Sequence, residues 1–369
     1  MNNMNICCIF NLAPHYRASI YKLMDKELNC HFFMGDKVET PIKKMDCSSL
    51  KGYQKELKNY YLFKHFYWQK GAFNLLFKSY KHYILTGELY CLSTWFILLF
   101  ARLMNKKTYL WTHGWYGRER GIKKTLKKCF FKLGSHVLLY GEYAKNLMIK
   151  EGFNPNKLHC IANSLDYNKQ CIIRHKLSNT NIYINYFKNE NPVIIYVGRI
   201  QKVKRIDLLI DAIAKLRDED ILVNLVLVGE NVEKESFYKQ IENLSLTKQV
   251  WLYGACYEES KLGELFYNAT ICVSPGNVGL TAIHAFSYGC PIITHNCFEK
   301  QMPEFEVIQP GINGLFFEEN DTLSLTQTIR YWIENMDKDK DGIRYSCYKI
   351  IDNKFNPNYQ IKTLKELIN

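Results

Sequence analysis

Four cations, Arg199, Lys202, Lys204 and Arg205, crowd the loop that follows the short apolar run Val193-Ile-Ile-Tyr-Val197. The run is continuous and rich in β-branched residues, the pattern of a strand buried on both faces. Gly198 ends it, and beyond the cations Ile206, Leu209, Ile210, Ile213 and Leu216 recur at helical spacing. In open α/β sheets, ligands bind beyond the carboxyl ends of the strands, so a buried strand that releases the chain into a basic loop and a helix builds a ligand site. Fixed cations there suit a phosphorylated ligand. A solvated basic loop is the plainer reading of the same residues.

A second segment with chemical potential runs Ser274-Pro-Gly-Asn-Val-Gly-Leu-Thr-Ala-Ile-His-Ala-Phe-Ser-Tyr-Gly-Cys-Pro-Ile-Ile-Thr294. It reads as a loop, a helix beginning near Leu280, a stop at Gly289 and a strand. The backbone N–H groups of Gly279, Leu280 and Thr281 would lie at the helix N-terminus and add to an anion site. A third feature is Thr112-His113-Gly114, a histidine at the end of the strand Thr108–Trp111, where a cleft is expected.

Around these lie the elements that must position them. Strands are expected at residues 4–10, 31–34, 83–86, 108–111, 137–140 and 158–161, then at 193–197, 221–228, 250–253, 270–274 and 312–317, with helices between. The loop Asn11–Arg17 places His15 and Arg17 after the first strand. Residues 36–80 interleave lysines with Tyr60, Tyr61, Phe66, Tyr67 and Trp68, which suits either a membrane interface or the rim of an ordinary domain. Leu89–Leu103 is too short to span a bilayer and reads as a buried or interfacial helix. Lys106, Lys107, Arg118, Arg120, Lys123, Lys124, Lys127, Lys128 and Lys132 form the sharpest charge cluster, opposed only by Glu119. Positions 120, 123, 124, 127 and 128 share a helical face, the pattern of a basic helix lying on an anionic membrane, or of a solvated face.

Composition bounds the rest. A chain of 369 residues suggests two domains, and 47% hydrophobic residues place it among globular proteins. Thirteen scattered cysteines without a C-x-x-C motif fit a reducing cytosol better than a disulfide framework. No signal-peptide pattern opens the chain. The net charge of +13 favours anionic partners, but no nucleic-acid module, GxGxxG or P-loop is present. Asp218-Glu219-Asp220 has the form of a D-x-D metal motif at a helix end, and Asp337–Gly342 opens like a calcium loop whose twelfth position, Tyr348, is not acidic. Neither is read as a metal site.

The run Gly198-Arg199…Lys204 with its Ile-Asp-Leu-Leu-Ile helix, the 274–294 segment, and Asn163-Ser-Leu-Asp166 at a domain boundary together resemble the family 4 retaining glycosyltransferases of the GT-B fold. The likeness is strongest over residues 193–317. It implies two Rossmann-like α/β domains facing across a cleft: residues 1–166 for the acceptor, a polar linker 167–191, residues 192–355 for a nucleotide-sugar, and a helix 356–369 crossing back to the first domain. It implies that Arg199 and Lys204 hold the donor diphosphate and that His113 orients the donor sugar. Gly198, Glu230, Gly279, Leu280 and Thr281 fall among the donor-binding positions. The acceptor and membrane side would take His15, Arg17, Lys123, Lys124, Lys127 and Lys128. No cofactor or metal is implied, and the partners are a nucleotide-sugar, a lipid-linked saccharide and an anionic membrane surface. The chain would then work in the cytoplasm, peripheral on the inner membrane face, in cell-surface polysaccharide biosynthesis.

One departure from the family pattern stands out. Relatives carry two glutamates in the 274–294 segment, and here those positions are Gly276 and His284. A neutral histidine both accepts and donates, so ribose binding is expected to survive with altered geometry. Asn277 or Glu304 is expected to stand in for the lost first acid. A non-catalytic partner subunit and a nucleotide-sugar epimerase remain the alternatives.

Overall fold

The computed structural model describes residues 6–39, 42–233, 237–336 and 338–368. The chain divides into two compact units, one running to Asp166 and resuming at Lys354, the other spanning Tyr167–Asn353.

In the first unit, strands and helices alternate as β1 (Ile6–Phe10), α1 (Ala18–Leu28), β2 (Cys30–Gly35), β3 (Tyr53–Leu57), β4 (Asn59–Phe63), β5 (Phe66–Gln69), β6 (His82–Thr86), α2 (Leu92–Leu103), β7 (Lys107–Thr112), α3 (Gly121–Leu133), β8 (His136–Leu139), α4 (Glu142–Lys150) and β9 (Leu158–Cys160). Seven strands form a parallel sheet in the order β3-β2-β1-β6-β7-β8-β9, and β4 and β5 form a separate antiparallel hairpin. Successive side chains of a strand point to opposite faces, and both faces here are covered. Cys7 and Ile9 therefore join the core under α2 and α3, while Ile6, Cys8 and Phe10 join the core with Ile20, Tyr21 and Met24 of α1.

The second unit begins with α5 (Tyr167–Arg174) and α6 (Ile182–Phe187). These residues, expected as a polar linker, are helical because their apolar members have a core to enter. Tyr183 and Phe187 are buried, and the Tyr183 hydroxyl donates to the Leu265 carbonyl at 2.6 Å. Then follow β10 (Val193–Val197), α7 (Ile206–Asp218), β11 (Asn224–Val228), α8 (Tyr238–Asn243), β12 (Val250–Gly254), α9 (Glu259–Asn268), β13 (Ile271–Ser274), α10 (Thr281–Ser287), β14 (Ile292–His295), β15 (Gly314–Phe317), α11 (Thr322–Tyr331) and α12 (Lys340–Asn353). The six strands pair in parallel in the order β12-β11-β10-β13-β14-β15. The last helix, α13 (Pro357–Ile368), lies in the first unit. There Ile361, Leu364 and Ile368 complete the core beside α1, Gln360 bonds Ser164 and the Ala162 carbonyl, and Lys365 pairs with Glu27.

Each sheet reverses its winding once, between β1 and β6 in the first unit and between β10 and β13 in the second. These are the switch points at which open α/β sheets place ligands.

Candidate functional site

In the second unit the switch point is occupied by the basic loop. Lys204 ends a short 3-10 turn (Lys202–Lys204), and its Nζ donates to both the backbone carbonyl and Oδ1 of Asn277, each at 2.6 Å. Burial lowers the Lys204 pKa to about 8; the nearby Glu304 carboxylate opposes the shift and Arg199 adds to it. Glu304 itself is buried in the turn Pro303–Val307. It is thus a counter-charge to Lys204. Asn277, expected near the donor sugar, holds Lys204 through its backbone carbonyl and Oδ1. Arg199 is exposed at the mouth of the same loop.

Close backbone approach shapes this loop. A side-chain carbon on Gly229 would lie 1.8 Å from the Gly198 carbonyl oxygen. One on Gly276 would lie 2.2 Å from the Val203 carbonyl oxygen and 2.7 Å from Lys204 Cα. The Gly276 N–H donates to the Lys204 carbonyl at 3.0 Å, so the 274–279 loop and the basic loop are stitched together. From the far side, Thr294 Oγ1 donates to the carbonyls of Ser274 (2.8 Å) and Gly276 (3.2 Å). Gln301 Oε1 accepts from the Val278 N–H at 2.7 Å, and its amide donates to Thr294 Oγ1 and the His295 carbonyl. The sequence offered no sign of this Thr294–Gln301 support.

The other donor-side positions are more modest. The Glu230 side chain is exposed, and its carbonyl accepts from the Ile200 N–H at 2.9 Å. Gly279 faces only Met302, 3.8 Å from where a side-chain carbon would lie. Helix α10 has only seven residues. Its dipole is correspondingly small, which leaves Arg199 and Lys204 as the main positive charge. Thr281 Oγ1 donates to the Val197 carbonyl at 3.0 Å. His284 Nε2 lies 2.9 Å from Glu259 Oε1, a contact to another helix that no local pattern announced.

In the first unit the switch point opens into a cavity of about 780 Å³. It is lined by Trp111, Tyr116 and Tyr140 as well as by Arg17, His113 and Lys127, among others. The Arg17 guanidinium sits over the rings of Trp111 (5.1 Å) and Tyr140 (5.3 Å), an arrangement that holds a cation where a carboxylate partner is not needed. Arg17 Nε is buried and has no hydrogen-bond partner among the described residues. His113 Nδ1 is in the same state, and burial, with Arg17 and Lys127 nearby, lowers its pKa to about 4. His113 is therefore neutral at physiological pH. The His113-Gly114 turn is tight: Gly114 has φ +73°, and a side-chain carbon there would lie 2.4 Å from Leu139. His15, by contrast, points away, with Nδ1 3.2 Å from the Lys43 carbonyl, and does not line the cavity.

The basic face of α3 divides. Lys127 bonds Glu119 at 2.5 Å and both are largely buried. The Glu119 carboxylate also accepts from the N–H groups of Tyr116 and Gly117. Although burial alone raises its pKa, these donors outweigh it and hold Glu119 ionised. Lys123 lies over the Tyr90 ring in the cavity wall, and Lys124 pairs with Glu151 at 2.8 Å. Charge spacing alone could not separate inward from outward lysines. Lys127→Met is expected to destabilise the protein by about 3 kcal/mol, because it leaves Glu119 a buried charge without its counter-ion. Denaturant unfolding checks this, and adding Glu119→Gln is expected to recover most of the loss.

Comparison with known proteins bears on both sites. Residues 178–346 match the family described as glycosyl transferases group 1. The chain is 26% identical over 155 residues to D-inositol 3-phosphate glycosyltransferase 1 of Catenulispora acidiphila, and 25% identical over 150 residues to the poly(ribitol-phosphate) alpha-N-acetylglucosaminyltransferase of Staphylococcus aureus. These matches take in 39% and 41% of this chain but 36% and 30% of the relatives, so the chain spans about a third of the length of the curated relatives it matches. Among solved structures, a glycosyltransferase from Rickettsia africae superposes with a TM-score of 0.71 at 16% identity, covering 100% of this chain and 98% of that one. Anabaena HepE in complex with UDP gives 0.70 at 15%, covering 99% of each chain. The lipopolysaccharide outer core galactosyltransferase WaaB gives 0.68 at 17%, again covering 99% of each chain. At these identities the likeness shows the fold, which is GT-B.

Proposed function

We propose that this chain, whose residues 178–346 match the glycosyl transferases group 1 family, transfers a sugar from a nucleotide-sugar to a saccharide acceptor of a cell-surface polysaccharide or glycolipid, with the anomeric configuration retained. The observation that carries the reading is Lys204, a half-buried cation clamped by Asn277 and backed by Arg199 at the carboxyl end of β10. Breaking a glycosyl–phosphate bond leaves growing negative charge on the diphosphate, and preorganised cations stabilise it most where water is scarce. Retention without a protein nucleophile has the acceptor attack from the face that the diphosphate leaves, with the departing phosphate taking the acceptor's proton. The reading assigns the donor to the second unit and the acceptor to the cavity of the first. There Arg17 offers a cation to an anionic acceptor, and neutral His113 offers a polar atom to the reacting sugar. Crystals of HepE hold UDP, glucose and UDP-glucose, which supports a nucleotide-sugar donor here.

A lipid-linked acceptor, reached by peripheral binding to the inner face of the membrane, is part of the proposal. Phe96, Leu99, Phe100 and Leu103 make one stripe of α2 and are all exposed, with Phe77, Ile122 and Leu126 also exposed. The lysines of α3 add positive charge to the same unit. Among the described residues no helix is long and apolar enough to cross a membrane. Such a surface suits an anionic bilayer better than it suits water.

The test is nucleoside diphosphate release from UDP-, GDP-, ADP- and dTDP-sugars, with and without a lipid-linked saccharide extract. One donor is expected to turn over in an acceptor-dependent way, and Arg199→Ala is expected to lower kcat/KM about a hundredfold. Binding without turnover in the presence of acceptor would overturn the transferase reading in favour of a non-catalytic subunit. Unaltered recovery on anionic vesicles after Phe96→Ser, Leu99→Ser and Leu103→Ser together would remove the membrane part.

A further inference from the structure

We infer that a row of cations held on aromatic rings along the first unit's cavity binds a phosphate, so that the acceptor is a phosphorylated saccharide. This rests on the transferase reading above and names the substrate class of its acceptor side. Arg17 lies over the rings of Trp111 and Tyr140, at 5.1 and 5.3 Å. His113 packs on Tyr140 at 4.8 Å and on Tyr116 at 6.2 Å. Arg118 lies over Tyr116 at 5.1 Å, and Lys123 over Tyr90 at 5.6 Å. All of these side chains line the one cavity. The cations reach it from three places in the chain: the loop after β1, the loop between β7 and α3, and α3 itself.

The carboxylates of the cavity wall are committed elsewhere. Glu119 holds Lys127, Glu88 accepts from Asn11 Nδ2 (2.9 Å) and the Tyr67 hydroxyl (2.7 Å), and Glu39 lies 2.7 Å from His65 Nδ1. Among the described residues no carboxylate forms an ion pair with Arg17, Arg118 or Lys123. A ring face attracts a cation without neutralising it, and a guanidinium stacked on a ring keeps N–H groups for acceptors at its edge. Arg17 Nε is such a donor, buried and without a hydrogen-bond partner among the described residues. Burial is the main cause of the lowered His113 pKa, and Arg17 and Lys127 add to it. Burial also lowers the Lys127 pKa; Glu119 opposes this, while Lys123 and Arg118 add to it. The cations therefore act on one neighbourhood, and its field is positive. A carboxylate brings a single charge to such a place. A phosphate monoester brings about −1.5 to −2 and three acceptor oxygens, which several cations from separate elements match better. The tyrosine and tryptophan rings beside them give the sugar that bears it an apolar wall.

The experiment is calorimetric binding of three probes built on one sugar: octyl N-acetylglucosaminide, its 6-phosphate, and N-acetylglucosamine joined to the octyl chain through a diphosphate. Each is titrated into the wild type, Arg17→Gln, Arg118→Gln/Lys123→Gln and Arg199→Ala. At least one phosphorylated probe is expected to bind the wild type tenfold or more tighter than the neutral one, since it gains hydrogen bonds between charged groups. A preference for the 6-phosphate places the charge on the glycan, and one for the diphosphate places it at the link to a lipid. Arg17→Gln is expected to bring the ratio close to one, and the double variant to lower it several-fold. The double variant changes exposed side chains, so it carries the test even if Arg17→Gln does not fold. Arg199→Ala is expected to leave the ratio unchanged. A neutral probe that binds as tightly as both others would overturn the inference. So would a ratio that survives in the double variant and in a folded Arg17→Gln, or one that Arg199→Ala abolishes, which would put the phosphate in the basic loop of the second unit. If the Arg17-dependent ratio holds but no nucleotide-sugar releases its nucleoside diphosphate, the phosphate site stands and the transferase reading alone fails.

Discussion

Lys204→Met is expected to lower kcat/KM about a thousandfold while leaving the free protein folded. Removing one preorganised donor from an oxyanion-type site costs on the order of a hundred- to a thousandfold in rate, and here the donor is also a half-buried full charge in the loop to which the proposed function assigns the diphosphate. Methionine keeps the length and removes the charge. The same burial produces a pH signature. The folded-state pKa of about 8 lies below the ordinary lysine value of 10.5. Between those values the unfolded chain binds more protons than the folded one, so stability of the ligand-free protein rises from about pH 8 to 10.5. Below pH 8 the cost of burying the charge is present in full. Activity runs the other way and falls as pH rises through about 8, because the neutral amine no longer stabilises the leaving diphosphate. Binding of a nucleoside diphosphate pulls the proton back. Calorimetry at pH 9 in two buffers of different ionisation enthalpy is expected to show proton uptake on binding to the wild type and none for Lys204→Met.

Restoring an acid at the first departed position is expected to harm the protein. Gly276→Glu places a side-chain carbon 2.2 Å from one backbone atom and 2.7 Å from another, and neither can swing aside as a side-chain tip would. The loop cannot retreat easily, because Thr294 and Gln301, bonded to each other, hold it from behind through three hydrogen bonds. The basic loop must yield instead, and Lys204 moves with it. A loss of about 2–3 kcal/mol in stability is expected from overpacking of this kind, together with at least tenfold weaker diphosphate binding. The clash lies at the first side-chain carbon, so Gly276→Ala is expected to cost nearly as much as Gly276→Glu. Denaturant unfolding of the two variants side by side decides it. An alanine variant as stable as the wild type would mean that the glycine is there for some other reason.

The stabilising and binding roles at this site come from different distances along the chain, and that governs how legible they were. Arg199 and Lys204 stand out because a buried strand, a glycine and a helical period flank them within one stretch. The local pattern alone says which end of the strand they occupy. His113 at the end of β7 is legible for the same reason. Asn277 shows what a local pattern misses: it clamps Lys204, a residue 73 positions away. His15 and Arg17 looked equivalent in the loop after β1, yet only Arg17 lines the cavity, because Trp111 and Tyr140 offer it two ring faces. Glu259 carries no signature in the sequence beyond its place at a helix start.

What the chain's own order of residues determined is the alternation of buried strands and amphipathic helices, and hence two α/β units with ligand loops at their strand ends. Hydrophobic periodicity is local, and it sets which segments can cover which faces. Only the tertiary structure decided which lysines of α3 face inward, since a helix face is inner or outer only relative to what packs on it. It likewise decided that residues 167–191 enter a core, because a half-polar segment becomes helical when a neighbour offers its few apolar side chains a place. And it alone brought Glu259 to His284 and Gly276 against Lys204, contacts between segments 25 and 72 positions apart that no spacing rule can encode.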